Sequence, residues 1–201
     1  MYLCRMKKDL YVIGGCNGAG KTTASYTILP EILHCKTFVN ADEIARGLSP
    51  FQPETVDMAA GRLMLKRIEE LLNNNESFAF ETTLASKSYK NTILKAKHKG
   101  YKITLLFFWL PTIDLAKERV CIRVIEGGHN IEPEIIERRY VNGIKNLFDI
   151  YIPLSDVVLL FDNSEDTCEL IAKSVNTSPV EIINQAKFNQ LKEYYGNERN
   201  R

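Results

Sequence analysis

The sequence predicts an α/β fold, a parallel five-stranded sheet flanked by helices. Short apolar runs alternate with segments whose apolar residues recur every three or four positions. Several of the runs are nearly continuous in Val, Ile, Leu and Phe, as strands covered on both faces are. The first run leads through a glycine-rich stretch directly into a helical pattern, as a strand–loop–helix unit does.

Strands are predicted over residues 9–13 (DLYVI), 37–40 (TFVN), 77–81 (SFAFE), 102–110 (KITLLFFWL) and 156–162 (DVVLLFD). Helices are predicted over 21–29, 53–73, 87–99, 113–126 and 132–148, with a further helix opening at Asp42. Strict alternation of the two types implies crossover connections and parallel strands. The 201 residues suit one domain, 1–201. The polar stretch NQLKEYYGNERNR at the end is expected to fray. In such sheets ligands bind beyond the carboxyl ends of the strands, and that rule selects which polar residues matter.

At the end of the first strand stands GGCNGAGKTT, and Gly15 to Thr22 satisfies G-x-x-x-x-G-K-[ST], the phosphate-binding loop, in its required strand-to-helix context. Glycine lets the backbone curl until successive N–H groups converge on one anion, and the helix N-terminus adds its positive end. Gly15, Cys16, Asn17, Gly18, Ala19, Gly20, Lys21, Thr22 and Thr23 are therefore the candidate nucleotide-binding residues. Lys21 is placed to reach the β- and γ-phosphates, and the Thr22 hydroxyl to ligate Mg²⁺. Cys16 reads either as an oxidisable thiol of lowered pKa or as a small loop residue.

Charge narrows the function. Twenty-six Lys and Arg against 25 Asp and Glu give a net charge of +1, which offers no broad field for nucleic acid or an anionic membrane. The longest apolar run falls short of the roughly 20 residues that span a bilayer. The first residues lack a signal-peptide apolar region, which predicts a cytoplasmic protein. Five scattered cysteines without a C-x-x-C pair argue against a disulfide framework or a zinc site. A GTPase would carry an N-K-x-D run; FDNSE after the last strand is not one.

The second strand runs into VNADEIARGLSP, which puts Asp42 at the mouth of a helix on the ligand side. There it is either a helix cap or the base that accepts the proton of an attacking hydroxyl, with Glu43 a weaker candidate for the base. Glu81, Thr82 and Thr83 end the third strand at the same rim. Glu81 either orients a substrate hydroxyl or holds a water of the Mg²⁺ shell. In the helix over 113–126, Ile113, Ala116, Val120 and Val124 form the buried stripe, flanked by Arg119 and Arg123. Gly127-Gly128-His129 follows, then a second helix bearing Arg138 and Arg139. Two arginine-bearing helices about a glycine hinge, over 117–148, predict a lid that grips phosphoryl oxygens and excludes water. His129 is expected to cap or orient the hinge.

With these residues in place, the sequence resembles the zeta toxin family of P-loop phosphotransferases. The resemblance runs over most of residues 9–164 through GGCNGAGKTT, VNADEIARGLSP, FAFETTL and RVIEGGHNIEPEIIERRY. It implies a nucleotide-kinase-like fold and the use of ATP and Mg²⁺. It also implies phosphorylation of a sugar-nucleotide, the 3′-hydroxyl of UDP-N-acetylglucosamine, and a possible protein antitoxin as partner. By resemblance Lys21 and Thr22 hold phosphate and metal, Asp42 is the base and Glu81 binds substrate. Arg123 with Arg138 or Arg139 clamps phosphate. The alternatives are a P-loop kinase for a nucleoside, an antibiotic or a nucleic-acid end, and a nucleotide-dependent switch with a protein partner.

Overall fold

A computed structural model describes residues 8–128, 130–176 and 178–199, with side chains described as far as residue 196. His129 lies outside the described residues. Strand β1 (Asp9–Gly15) is buried along its whole length. It is the middle one of the five parallel strands, with β3 (Phe78–Thr82) on one side and β4 (Lys102–Trp109) on the other. The full order is β2-β3-β1-β4-β5-β6-β7, with β2 at Phe38–Val39 and β5 at Val157–Asp162. Because the chain runs from β1 outward to β2, returns through β3 and then crosses to β4, strand order reverses at β1. The crevice at the carboxyl end of β1 is the place where a ligand fits.

The five expected strands are present and parallel, but among the described residues the sheet has seven. Strand β6 (Glu169–Val175) pairs antiparallel to β5, and β7 (Glu181–Ile182) antiparallel to β6. The sequence ELIAKSV lacks both a continuous apolar run and a clean alternation, because this strand lies near the sheet edge with Ile171, Ala172 and Ser174 as its buried positions.

Helices pack on both faces. Helix α1 (Lys21–Thr27) continues into a π turn at Ile28–Ile32, and α2 spans Ala41–Leu48. A 3₁₀ turn at Pro53–Val56 leads into α3 (Asp57–Asn74), which buries Ala60, Met64, Ile68, Leu71 and Leu72 at helical spacing. It stops at Asn75, whose φ of 58° is the left-handed cap that asparagine tolerates. Helices α4 (Tyr89–His98), α5 (Ile113–Ile125) and α6 (Pro133–Asn146) follow, then a π turn at Leu147–Tyr151 and the single turn α7 (Ile152–Leu154). Thr112 caps α5, its hydroxyl accepting from Leu115 N at 3.2 Å.

The expected frayed end is instead helix α8 (Gln185–Arg199). Phe188 and Leu191 are buried, Phe148 packs against Phe188 and Tyr195, and Tyr194 meets Tyr140 edge-on at 5.1 Å. The three- and four-residue spacing of Phe188, Leu191 and Tyr195 is the signal that reading the stretch as merely polar passes over. Among the described residues, no helix is long and apolar enough to cross a membrane.

Candidate active site

The phosphate loop leaves β1 and turns into α1 at Gly20, whose φ of 74° is left-handed. The conformation favours glycine there, and a Cβ would stand 2.5 Å from Asn163 Nδ2 and push that amide aside. Gly18 is also left-handed, with a φ of 78°, and packs against Ala116 and Arg119 of α5. The loop is thus gripped from the α5 and β5 side while its other side faces a cleft.

Lys21 is buried, and its ammonium donates to Cys16 O at 2.9 Å. It also stands 3.5 Å from Glu81 Oε1. Thr22 donates its hydroxyl to Glu81 Oε2 at 2.8 Å, and Asn40 Nδ2 donates to the same oxygen at 2.9 Å. Register explains the meeting: Ile13 pairs with Glu81 across β1 and β3, so the carboxylate ends its strand beside the point where the loop begins. Thr22 and Glu81 together offer hard oxygen donors of the kind Mg²⁺ takes alongside nucleotide phosphates. No cluster of three or more His, Cys, Asp or Glu suited to a metal occurs among the described residues. An ion held by one carboxylate, one hydroxyl and the substrate's own phosphates needs none.

Asn40, not Asp42, is the cap of α2. Its Oδ1 accepts from Asp42 N at 2.8 Å and Glu43 N at 3.4 Å. Asp42 sits in the first turn with its carboxylate free of the capping duty, while Glu43 pairs with Arg46 at 3.3 Å. A cavity of 410 Å³ opens over the loop, and Lys21, Asp42, Glu81, Arg138 and Arg139 all line it. Thr82, Thr83, Ser86, Ser88 and Tyr89 make up its hydroxyl-bearing wall. Thr82 and Thr83 are expected here from the sequence; Ser86, Ser88 and Asn40 join them only in the folded chain. Asparagine directly before a helix is the signal that marks the last of these.

Arg139 donates to Asn17 Oδ1 at 3.3 Å, tying α6 to the phosphate loop. Arg138 lines the cleft; Arg123 does not, and its aliphatic stem packs beside Gly128. Arg119 is bound to the carbonyls of Asn163 and Ser164, both at 2.7 Å. Helix α6 is fixed to the core: Trp109 Nε1 donates to Tyr140 OH at 3.2 Å, and Tyr140 OH donates to Leu110 O at 2.7 Å. Its cleft arginines therefore come from an anchored helix. Thr23 is exposed on α1, and Cys16 is buried with its thiol pKa pushed up to about 11 by desolvation.

A family model described as Zeta toxin matches residues 2–174. The chain belongs to the zeta toxin family. An uncharacterized protein of Haemophilus influenzae (strain ATCC 51907 / DSM 11121 / KW20 / Rd) is 27% identical over 126 residues, which is 63% of this chain and 88% of that relative. Among solved structures, the AvrRxo1-ORF1:AvrRxo1-ORF2 complex with sulphate ions is similar at a TM-score of 0.75 and 17% identity, over 92% of this chain. This family member spans 63% of that longer chain. The same complex with ATP aligns at 0.74 and 18% identity, with the same shares covered, 92% and 63%. A structure from the PezAT chromosomal toxin-antitoxin system of Streptococcus pneumoniae aligns at 0.61 and 14% identity, covering 98% of this chain and 89% of that one. At these identities the structural likeness establishes the fold, a P-loop kinase-like sheet with helices on both faces.

Proposed function

We propose that this chain is an ATP-dependent phosphotransferase that moves the γ-phosphoryl to an alcohol on a sugar-nucleotide, the 3′-hydroxyl of UDP-N-acetylglucosamine, in the cytoplasm. The observation that carries the reading is the shared cleft, in which Lys21 and Asp42 line one 410 Å³ space. A base and an anion cradle across one cavity are what in-line phosphoryl transfer requires. Family membership and the ATP in a related complex support it.

In this mechanism the loop N–H groups and Lys21 hold the β- and γ-phosphates. Asp42 takes the proton from the acceptor hydroxyl as that oxygen attacks the γ-phosphorus, whose bond to the β,γ-bridging oxygen breaks and releases ADP. Arg138 and Arg139 face the same space and stabilise the charge spread over the transferring oxygens. Thr22 and Glu81 are the residues that would hold Mg²⁺, which when bound neutralises charge between the β- and γ-phosphates. The hydroxyl-bearing wall from Thr82 to Ser88 binds the acceptor. The partner chains in the AvrRxo1 complex and the toxin-antitoxin system of PezAT support a protein antitoxin for this chain as well.

The test is mass spectrometry of sugar nucleotides in cells expressing the chain or its Asp42→Ala variant, with purified protein, labelled ATP and a panel of acceptors beside it. Asp42→Ala is expected to abolish transfer and leave ATP binding nearly intact, and Lys21→Ala to weaken both. Near-normal turnover by Asp42→Ala would remove the base, and transfer to another acceptor alone would replace the substrate.

A further inference from the structure

Helix α8 lies beyond the segment matched by the family model, which ends at residue 174. One of its side chains nevertheless reaches the support of the phosphate loop. Lys187 Nζ stands 2.5 Å from Asp162 Oδ2, at the end of β5, and 2.7 Å from Glu169 Oε2, at the start of β6. The Asp162 side chain is 0% exposed. A carboxylate taken out of water is costly unless an opposite charge meets it, and Lys187 supplies that charge.

The other oxygen of Asp162 shapes the backbone. Oδ1 accepts from Ser164 N at 2.9 Å, closing a turn directly after the strand. The turn is then held on three sides. Asn163 N donates to Trp109 O at 3.0 Å, Arg119 takes the carbonyls of Asn163 and Ser164 at 2.7 Å each, and Asn163 Nδ2 donates to Ala19 O at 2.9 Å. The last contact enters the phosphate loop itself. In a planar trans peptide the C=O and the following N–H point opposite ways. Anchoring the Ala19 carbonyl toward Asn163 therefore aims the Gly20 N–H away from it, fixing one donor of the anion cradle before any anion arrives.

We propose that Lys187 is a positioning residue for nucleotide binding: by pairing with buried Asp162 it holds the turn at 162–164, whose Asn163 orients the Ala19–Gly20 peptide toward phosphate. This inference rests on the kinase reading above for the identity of the nucleotide, ATP. A residue with this role alters affinity for ATP while leaving the chemistry and the acceptor wall alone. A simple brace for α8 alters only how much protein is folded.

The experiment uses the full chain and measures the Kd for MgATP, the KM for ATP, the KM for acceptor, kcat and Tm. Lys187→Met is expected to raise Kd and KM for ATP about tenfold, the scale of a buried charge pair lost at one remove, with kcat and acceptor KM within about twofold. Lys187→Arg, which can still pair with Asp162, is expected to restore most of the affinity. Lys173→Met breaks the outlying Lys173–Glu181 pair on β6 and β7 and is expected to leave ATP binding unchanged. Should Lys187→Met fail to fold, Lys187→Gln, which removes the charge opposite Asp162 but keeps a polar tip, is judged by the same criterion. Variants that lose Tm yet bind ATP with the wild-type Kd overturn the inference alone. A wild-type protein that binds no ATP overturns the kinase reading and this inference with it.

Discussion

Asn40 uses both ends of one amide: its oxygen caps α2 and its nitrogen holds the Glu81 carboxylate. Asn40→Ala is expected to lose the cap and one bond to a charged group, about 1–3 kcal/mol by urea unfolding. Asn40→Asp keeps the cap but replaces the donor to Glu81 with a second carboxylate, so it is expected to recover only the capping part of the lost stability and no ATP turnover. Cys16 resolves the two readings of its thiol. Burial pushes its pKa up to about 11, so it is protonated at neutral pH and forms thiolate only as the pH approaches that value. Iodoacetamide at pH 7.5 is expected to modify exposed Cys121 ahead of Cys16, as read by peptide mass spectrometry. Lys21 and Thr22 stand out in the sequence because their expected roles follow from adjacent residues in one motif. The role of Asn40 does not, since it depends on a carboxylate 41 positions away.

Helix α6 and the π turn after it grip the segment that follows β3. Asn146 Nδ2 donates to the carbonyls of Leu84 and Ala85 at 2.8 and 3.1 Å, and Tyr151 OH donates to Ser86 O at 2.5 Å. Three consecutive carbonyls are thereby turned toward α6, and Leu84 is held at a φ of 59°, which leucine rarely adopts. Asn146→Ala leaves two of those carbonyls without their donor, at a cost of about 1–3 kcal/mol. On the proposed reading it also loosens the acceptor wall, so the KM for acceptor is expected to rise while the KM for ATP stays put in steady-state assays. Gly143→Ala would place a Cβ 2.6 Å from Thr83 O, a backbone atom with little freedom to yield. It is expected to destabilise by about 1–3 kcal/mol through overpacking, measured by denaturant unfolding. The helix itself was legible from its spacing, expected over 132–148 and found over Pro133–Asn146 before the π turn. Its grip on the loop was not, because side chains that bond to carbonyls some 60 positions earlier leave no periodic trace.

Across the whole molecule the sheet's last strands and α8 complete a core that the five parallel strands leave open on one side. Leu191 is 0% exposed, and Leu191→Ala is expected to cost about 2–5 kcal/mol in denaturant unfolding; a value near zero would mean that α8 is not part of the cooperative fold. By itself the sequence determined β1, the glycine-rich loop after it, the helix that loop opens and the parallel direction of the five central strands. Their causes are local: unbroken apolar runs, helical spacing, and glycines that let neighbouring N–H groups converge. Tertiary structure alone decided that Glu81 meets Lys21 and Thr22, that Arg138 and Arg139 rather than Arg123 face the cleft, and that a polar tail becomes a docked helix. Register across β1 and β3, the fixed seat of α6, and the meeting of Lys187 with a buried carboxylate are set by contacts between distant segments, which exist only once the chain has packed.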